Sequence, residues 1–258
     1  MFDSETFGRF AAAAALALAL AALLRPEIER QLRRRLLRLD VEPIRKVEIG
    51  FSDWGPTIGL AASFHGHGED QFVVDASLTV RRDGDANGHR LSWAAFLPAR
   101  LGANIGEATS PGPFAVNRVE PRQVSILFQD LATQRRYADD LRALRRRFAD
   151  FMAFQRLRPE IMSQHDLGRE VAIFRRSTHY DADAANAAGS VFYWEPGDYS
   201  LLLTIRTATA PHTHDYRFGL SAEESAELRD NVGRMEDVCL GLTSRGPVTI
   251  SVTLDKIA

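Results

Sequence analysis

The longest apolar stretch of the chain runs from residue 10 to residue 24 and holds fifteen residues without a polar side chain. Arg9 and Arg25 flank it. A helix of roughly 20 residues crosses a bilayer, and flanking arginine side chains can extend their charged ends to the interfaces. A signal peptide begins with basic residues, whereas two acidic residues precede Arg9. We therefore predict that 1–25 is a transmembrane helix that anchors the protein in a lipid bilayer, rather than a cleaved signal peptide or a buried core helix.

Basic residues are unevenly distributed on the two sides of this predicted helix. Eight arginines and lysines lie from Arg25 to Lys46, against only Arg9 and the terminal amine on the other side. Positively charged flanking segments stay on the cytoplasmic side of a membrane. The pattern therefore predicts a single-pass protein of a bacterial inner membrane whose large C-terminal domain is cytoplasmic.

Residues 26–42 are predicted to form a basic amphipathic helix. Apolar side chains recur there at spacings of four, four and three, at Ile28, Leu32, Leu36 and Leu39. An apolar stripe beneath an arginine-rich face is typical of a helix that lies on anionic headgroups. A solvated linker helix has the same pattern, so both interpretations stay open.

After residue 43 the hydrophobic pattern changes to the period of two that strands show. Val47, Ile49 and Phe51 alternate with Glu48 and Gly50, and similar runs follow between turn residues. The predicted strands are 47–51, 57–64, 72–80, 89–97, 124–128, 170–174, 191–194, 199–207, 215–220 and 248–254. Short strands separated by turns favour an antiparallel sandwich over βαβ units. We therefore predict a mainly β fold, an immunoglobulin-like antiparallel β-sandwich with inserted helices, over 43–258.

Two helices are predicted within this domain. The segment at about 131–157 has one apolar stripe suited to packing on the sandwich. The stripe consists of Tyr137, Leu141, Leu144, Phe148 and Phe151. The sequence Ser221-Ala222-Glu223-Glu224 is a capping box that opens a late helix over 222–239. A protein partner is expected to bind through the sandwich or through the 131–157 helix.

Two segments resemble known proteins. The sequence Trp194-Glu195-Pro196-Gly197-Asp198-Tyr199-Ser200-Leu201 resembles the Pro-Gly-x-Tyr-x-Leu entry to a late strand of bacterial immunoglobulin-like sandwiches, in which a tyrosine folds over the sheet corner. The segments 47–52 and 55–60, extended by 70–73 and 91–93, are similar to segments of uncharacterised bacterial membrane-anchored proteins. The resemblance implies a membrane-anchored sandwich and carries no activity. A missing cysteine pair and a long helical insertion depart from the immunoglobulin pattern.

Composition narrows the range of functions. The 258 residues are 45% hydrophobic and 26% charged, which is typical of a folded protein, and the net charge of −2 gives no basis for a nucleic-acid partner. Arg145-Arg146-Arg147 is therefore interpreted as a solvated helix face. The single cysteine, Cys239, excludes an internal disulfide and a thiolate zinc cluster, and we interpret it as a small buried hydrophobe.

Two histidine-containing segments are the candidates for chemistry. His65-Gly66-His67-Gly68-Glu69-Asp70 resembles the His-x-His-x-Asp-His run of metallo-β-lactamase-like hydrolases, which bind paired zinc ions. Its carboxylates are displaced by one position and no histidine follows, so a polar hairpin turn is the preferred interpretation. His212-Thr213-His214-Asp215 places two imidazoles on one side if the chain is extended, which is half a metal site. Ligands from another segment would be required, so an exposed loop is the preferred interpretation.

The sequence contains no serine-nucleophile elbow, glycine-rich phosphate loop or dinucleotide fingerprint. We therefore assign no catalytic, cofactor-binding or metal-binding residue and expect no cofactor. The predicted function is that of a membrane-anchored binding or scaffolding protein. The alternative is a membrane-tethered, metal-dependent hydrolase that uses His65, His67, His212 and His214.

Overall fold

The computed structural model describes residues 23–27, 38–44, 46–97, 108–157, 159, 162–177, 180, 191–244 and 246–257. Of the predicted anchor at 1–25, only 23–25 fall among these residues, in a helical segment at 23–27. The remainder of the predicted anchor lies outside the described residues. Within the described ranges, no helix combines the length and the apolar character needed to span a bilayer.

The described chain contains eleven strands and three long helices. The strands are β1 Arg38–Pro43, β2 Val47–Ser52, β3 Gly55–His67, β4 Gln71–Arg82, β5 His89–Leu97, β6 Phe114–Val116, β7 Arg122–Gln129, β8 Gly197–Thr207, β9 Pro211–Leu220, β10 Thr249–Val252 and β11 Asp255–Lys256. The helices are α1 Leu131–Phe154, α2 Gln164–Phe174 and α3 Ala222–Cys239.

These strands form one antiparallel sheet that curls on itself. Hydrogen-bonded neighbours follow the order β10-β2-β3-β7-β5-β4-β8-β9-β11, with β1 beside β3 and β6 beside β4. The path begins at β10 and ends at β11, and only residues 253 and 254 separate these two strands along the chain. The two ends of the path therefore meet, and the strands surround a common core.

Alternate strand residues face this core because successive side chains of a strand point to opposite faces. Leu201, Leu203 and Ile205 of β8 are buried in it, as is Tyr216 of β9. The hydroxyl of Tyr216 donates a hydrogen bond of 2.8 Å to the carbonyl of Val41 on β1. In the described sheet β1 and β9 are not paired strands, so this bond links two sides of the curl.

Helices α1 and α3 cover one end of the sheet, which we call the helix end. The ring of Tyr137 on α1 lies 5.1 Å from that of Phe51 on β2, and Leu228 of α3 joins the same core. Trp194 is also fully buried in this core and donates its Nε1–H to the Gly50 carbonyl at 3.1 Å. The core is therefore closed by aromatic and aliphatic side chains at this end.

At the opposite end, β1, β4 and β9 begin and β3 and β8 end. Arg38 at the start of β1 pairs with His67 at the end of β3, and Val73 of β4 pairs with Thr207 at the end of β8. β9 begins at Pro211, directly after the turn that follows β8. Because two histidines of β3 and two of β9 lie here, we call this the histidine end.

The helices begin at side-chain caps. The Asp130 carboxylate accepts from the N–H groups of Ala132 and Thr133 at the start of α1. The predicted capping box of α3 is confirmed, since the side chains of Ser221 and Glu224 each accept a hydrogen bond from the backbone N–H of the other. These bonds satisfy backbone donors that have no partner within a helix.

The strand predicted at 170–174 is wrong, because these residues form the second half of α2. Leu167, Val171 and Phe174 are buried at spacings of four and three, which is the helical period. The Ser163 hydroxyl caps the first turn. The five residues in isolation look strand-like, and the helical period appears only over the longer window.

Two further predictions of secondary structure are wrong. Residues 191–194 are largely buried but form no strand. In the predicted helix 26–42, residues 38–42 belong to β1, because Leu39 and Val41 alternate into the core of the sheet. Residues 28–37 of that prediction lie outside the described residues.

The prediction of a mainly β, antiparallel fold with inserted helices is confirmed. The immunoglobulin-like sandwich is not confirmed, because the described strands belong to one curled sheet and not to two facing sheets. Alternation of buried and exposed residues is the same in both architectures, so the strand pattern does not distinguish them.

Candidate ligand-binding site

Two histidines of β9 face the inside of the curled sheet at the histidine end. His212 and His214 pair with Ile205 and Leu203 of β8 and continue the inward row that includes Tyr216. Each side chain is half-buried, and each Nε2 atom is enclosed without a hydrogen-bond partner among the described residues. Buried polar atoms nearly always have a partner, which can be a water molecule or an ion. These two nitrogens therefore have no intramolecular partner among the described residues and are available to a water molecule, an ion or another ligand.

Gln71 supplies a third such atom at the same end. It is the first residue of β4 and is only 5% exposed. Its Nε2 donates to the carbonyl of Arg38 on β1 at 2.8 Å. A carbonyl oxygen can only accept, so the amide must direct its NH₂ group at Arg38, and this bond fixes the orientation of the amide. The Oε1 atom is then a buried acceptor with no partner in the described chain.

The outer face of the histidine end carries an ion-pair cluster. Asp40 of β1 accepts from the Arg38 guanidinium at 3.1 Å and lies 2.8 Å from His67 Nε2. The His65 and His67 rings are 4.6 Å apart between centroids. Burial acts to raise the pKa of Asp40, but the hydrogen bond with His67 and the charge of Arg38 outweigh it, so the pKa is lowered. The carboxylate is already occupied by these partners.

Burial disfavours the charged form of both inward histidines. It lowers the pKa of His212. It also lowers the pKa of His214, where the positive charge of Lys256 acts in the same direction and the negative charge of Asp40 opposes it. The neutral ring, with one N–H and one lone pair, is therefore favoured at both positions.

The four histidines of the hydrolase hypothesis lie at one end of the sheet but on different faces. His65 and His67 are on the outer side, and His212 and His214 are on the inner side. In the described part of the chain, no group of three or more His, Cys, Asp or Glu side chains is arranged to hold a metal ion. The structure therefore brings these residues near one another without assembling a paired-zinc centre among the residues it describes.

The segment between β3 and β4 is a turn. Gly68 has a positive φ of 87°, a conformation that favours glycine. Asp70 accepts from the backbone N–H of Arg118 at 3.0 Å. The polar-turn interpretation of 65–70 holds for 68–70 only, because residues 65–67 belong to β3.

The basic run of α1 lies on the exposed side of the helix. A cavity of about 460 Å³ is lined, among the described residues, by Asp139, Arg142, Arg145, Arg146 and Ala149. Arg142 forms an ion pair with Asp139. One face of a single helix cannot enclose a ligand, so these residues do not define a site by themselves.

A second group of buried polar atoms lies between α1 and α3. The Tyr137 hydroxyl and Asp140 Oδ2 have no hydrogen-bond partner within the described residues. Burial, together with nearby Glu236 and Cys239, raises the pKa of Tyr137. The half-buried Cys239 donates its S–H to the Leu141 carbonyl at 3.3 Å, and burial raises the pKa of its thiol. The interhelix contact therefore holds a packed thiol rather than a reactive thiolate.

The sequence pattern raised His212 and His214 as half a metal site but favoured an exposed loop, whereas both residues belong to β9; it gave no signal for Gln71 or Arg38. A bulge between Val73 and Asp75 shifts the register of β4. Counting back from the buried residues Ala76 and Leu78 by twos puts Gln71 and Val73 on the outer face, but the bulge turns both to the inner face. A buried glutamine at the start of a strand is a recognisable signal only once that bulge is known.

Comparison with protein families, with curated proteins and with solved structures finds no match to this chain.

Proposed function

We propose that this protein is a binding module that takes up a ligand at the histidine end of its curled sheet. One observation carries the proposal: three enclosed polar atoms, Gln71 Oε1, His212 Nε2 and His214 Nε2, lack hydrogen-bond partners among the described residues. An unpaired buried polar group costs about 1–3 kcal/mol. A ligand that supplies the missing partners would recover that free energy on binding.

The proposal also includes a tether. An apolar run at 10–24 followed by basic residues supports anchoring of the module in a bacterial inner membrane, with the sheet in the cytoplasm. Leu23 and Leu24, at the end of that run, are 75% and 54% exposed, which suits contact with lipid. Cell fractionation with protease accessibility tests this part, and recovery of the full-length chain in the soluble fraction contradicts it.

An immunoglobulin-like origin for the fold has one supporting contact. The hydroxyl of Tyr199 donates to the carbonyl of Glu195, four residues upstream, at 2.6 Å. Tyrosine corners of immunoglobulin-like sandwiches make a bond of this kind. We propose this relationship on that contact and on the 194–201 resemblance.

Native mass spectrometry of the full-length chain, purified from membranes in mild detergent, tests ligand binding. Gln71→Leu removes the buried amide, and Gln123→Leu is the matched control because Gln123 is an exposed glutamine of the neighbouring part of the sheet. We expect an added mass on the wild type and on the control that is lost from Gln71→Leu.

The proposal is contradicted if the wild type, Gln71→Leu and Gln123→Leu all have the mass of the polypeptide alone. It is also contradicted if all three carry the same added mass. Thermal melting of each variant shows that the sheet is intact, so a loss of added mass reports on the site.

A further inference from the structure

We propose that His212 and His214 together bind one divalent transition-metal ion through their Nε2 atoms. The proposal rests on the proposed function, because it names one component that the histidine end takes up; the two imidazoles alone hold the ion, and the molecule whose added mass depends on Gln71 would occupy the ion's open coordination positions. It concerns only the inner pair of histidines, and it assigns no hydrolytic role to the ion.

The spacing of the two residues on one strand allows their rings to reach one ion. His212 and His214 are two residues apart on β9, and both belong to its inward row. Two residues of a strand span about 6.6 Å between Cα atoms. Imidazole nitrogens bind zinc at about 2.0–2.1 Å, and side chains of this length can converge from that separation.

The bonding state of the nitrogens fits metal ligation. Both Nε2 atoms are enclosed, and no hydrogen bond from the described chain occupies either of them. A neutral imidazole has one N–H and a lone pair on its other nitrogen. A ring with its proton on Nδ1 presents that lone pair at Nε2, where the ion would lie.

Charges near the pair select the kind of ion. Lys256 and Arg38 act on His214 with positive charge and Asp40 with negative charge. Arg38 and His67 already hold Asp40. The surrounding positive charge opposes every cation, and most of all a hard cation that depends on carboxylate charge, so the site requires an ion that bonds strongly to neutral imidazole, such as Cu²⁺, Ni²⁺ or Zn²⁺. Two protein ligands leave further coordination positions open to an external molecule, which suits a binding module.

Calorimetric titration of the full-length, chelator-treated protein in detergent tests the proposal with the metal ions alone. We expect one Cu²⁺ per chain, weaker binding of Ni²⁺ and Zn²⁺ in keeping with the usual affinity order, and no binding of Mg²⁺ or Ca²⁺. His212→Ala and His214→Ala should each weaken Cu²⁺ binding by at least about tenfold, because the second imidazole acts as an intramolecular ligand.

His65→Ala is the matched control, since His65 is a half-buried histidine at the same end but on the outer face. It should leave Cu²⁺ affinity within about twofold of the wild type, as expected for an independent site. Equal affinity in His212→Ala and the wild type overturns the proposal, and so does a loss that appears only in His65→Ala.

Electron paramagnetic resonance of Cu²⁺ bound to the unaltered protein provides a readout that no folding defect affects. Hyperfine coupling to two imidazole nitrogens is expected, and coupling to none overturns the proposal. The metal proposal and the proposed function can fail separately. Titration and paramagnetic resonance decide the first, and the mass lost from Gln71→Leu in native mass spectrometry decides the second.

Discussion

The Tyr216 hydroxyl and the Val41 carbonyl are joined by a hydrogen bond of 2.8 Å that crosses between two unpaired strands of the described sheet. Tyr216 is fully buried, so the bond is shielded from water. We predict that Tyr216→Phe lowers the free energy of unfolding by about 1–2 kcal/mol, because a buried acceptor loses its partner. Urea unfolding followed by far-ultraviolet circular dichroism measures this change. An unchanged midpoint contradicts a role for the bond in holding the curl.

Tyr137→Phe should have the opposite effect. The Tyr137 ring is fully buried, but its hydroxyl has no hydrogen-bond partner within the described chain. Removing an unsatisfied buried hydroxyl while the ring is kept should leave the free energy of unfolding unchanged or raise it by up to about 1 kcal/mol. The same urea titration, with Tyr216→Phe as the matched comparison, provides the measurement. A loss similar to that of Tyr216→Phe would show that the hydroxyl has a partner.

Asp140→Asn should stabilise the protein at neutral pH. Burial raises the pKa of Asp140 above its ordinary 3.8, neighbouring Asp139 adds to the effect, and Arg136 opposes it. The unfolded chain therefore releases the proton first, and the free energy of unfolding falls as pH rises from 3.8 through the raised folded pKa. We expect a melting midpoint higher by roughly 1–3 °C at pH 7, a shift that corresponds to about half a kcal/mol in a chain of this size.

The advantage of Asp140→Asn should shrink as pH falls toward 3.8 and disappear well below it, where the wild-type carboxyl is protonated in both states. Asp150→Asn is the matched control, because Asp150 is an exposed carboxylate of the same helix. Calorimetric melting between pH 3 and pH 8 tests both variants. A gain in Asp140→Asn that does not depend on pH would rule out the charge as its cause.

Gly55→Ala should destabilise the join between β2, β3 and α1. Gly55 has a φ of +73°, and an added Cβ would meet the nearest atoms of Gln134 at 3.7 Å, which is ordinary contact. The cost is therefore that of the left-handed backbone alone, about 1–2 kcal/mol. Gly112→Ala is the control, because nothing lies within 4 Å of its added Cβ. Equal urea midpoints for the two variants contradict this account.

Periodicity predicts much of the fold because it reports local burial. The strand at 89–97 and the helix at 222–239 occur where the pattern places them, since alternation and a capping box act within a few residues. The curl of the sheet depends on which distant strands pair, such as β1 with β3 and β10 with β2. Alternation carries no information about that choice.

The candidate site was predictable only in part for the same reason. His212 and His214 share a face by their spacing alone, so the sequence indicates them. Gln71 joins them because the chain places the start of β4 at the same end as the start of β9. Its contact with Arg38 connects residues 33 positions apart, and no local pattern specifies it.

A crystal structure of the full-length protein, purified from its native membrane without chelators and solved at atomic detail, tests the central claim most directly. We predict electron density too strong or too extended for water, within bonding distance of His212 Nε2 and His214 Nε2. Density that refines as ordered water alone, hydrogen-bonded to both nitrogens and to Gln71 Oε1, would contradict a ligand site at the histidine end.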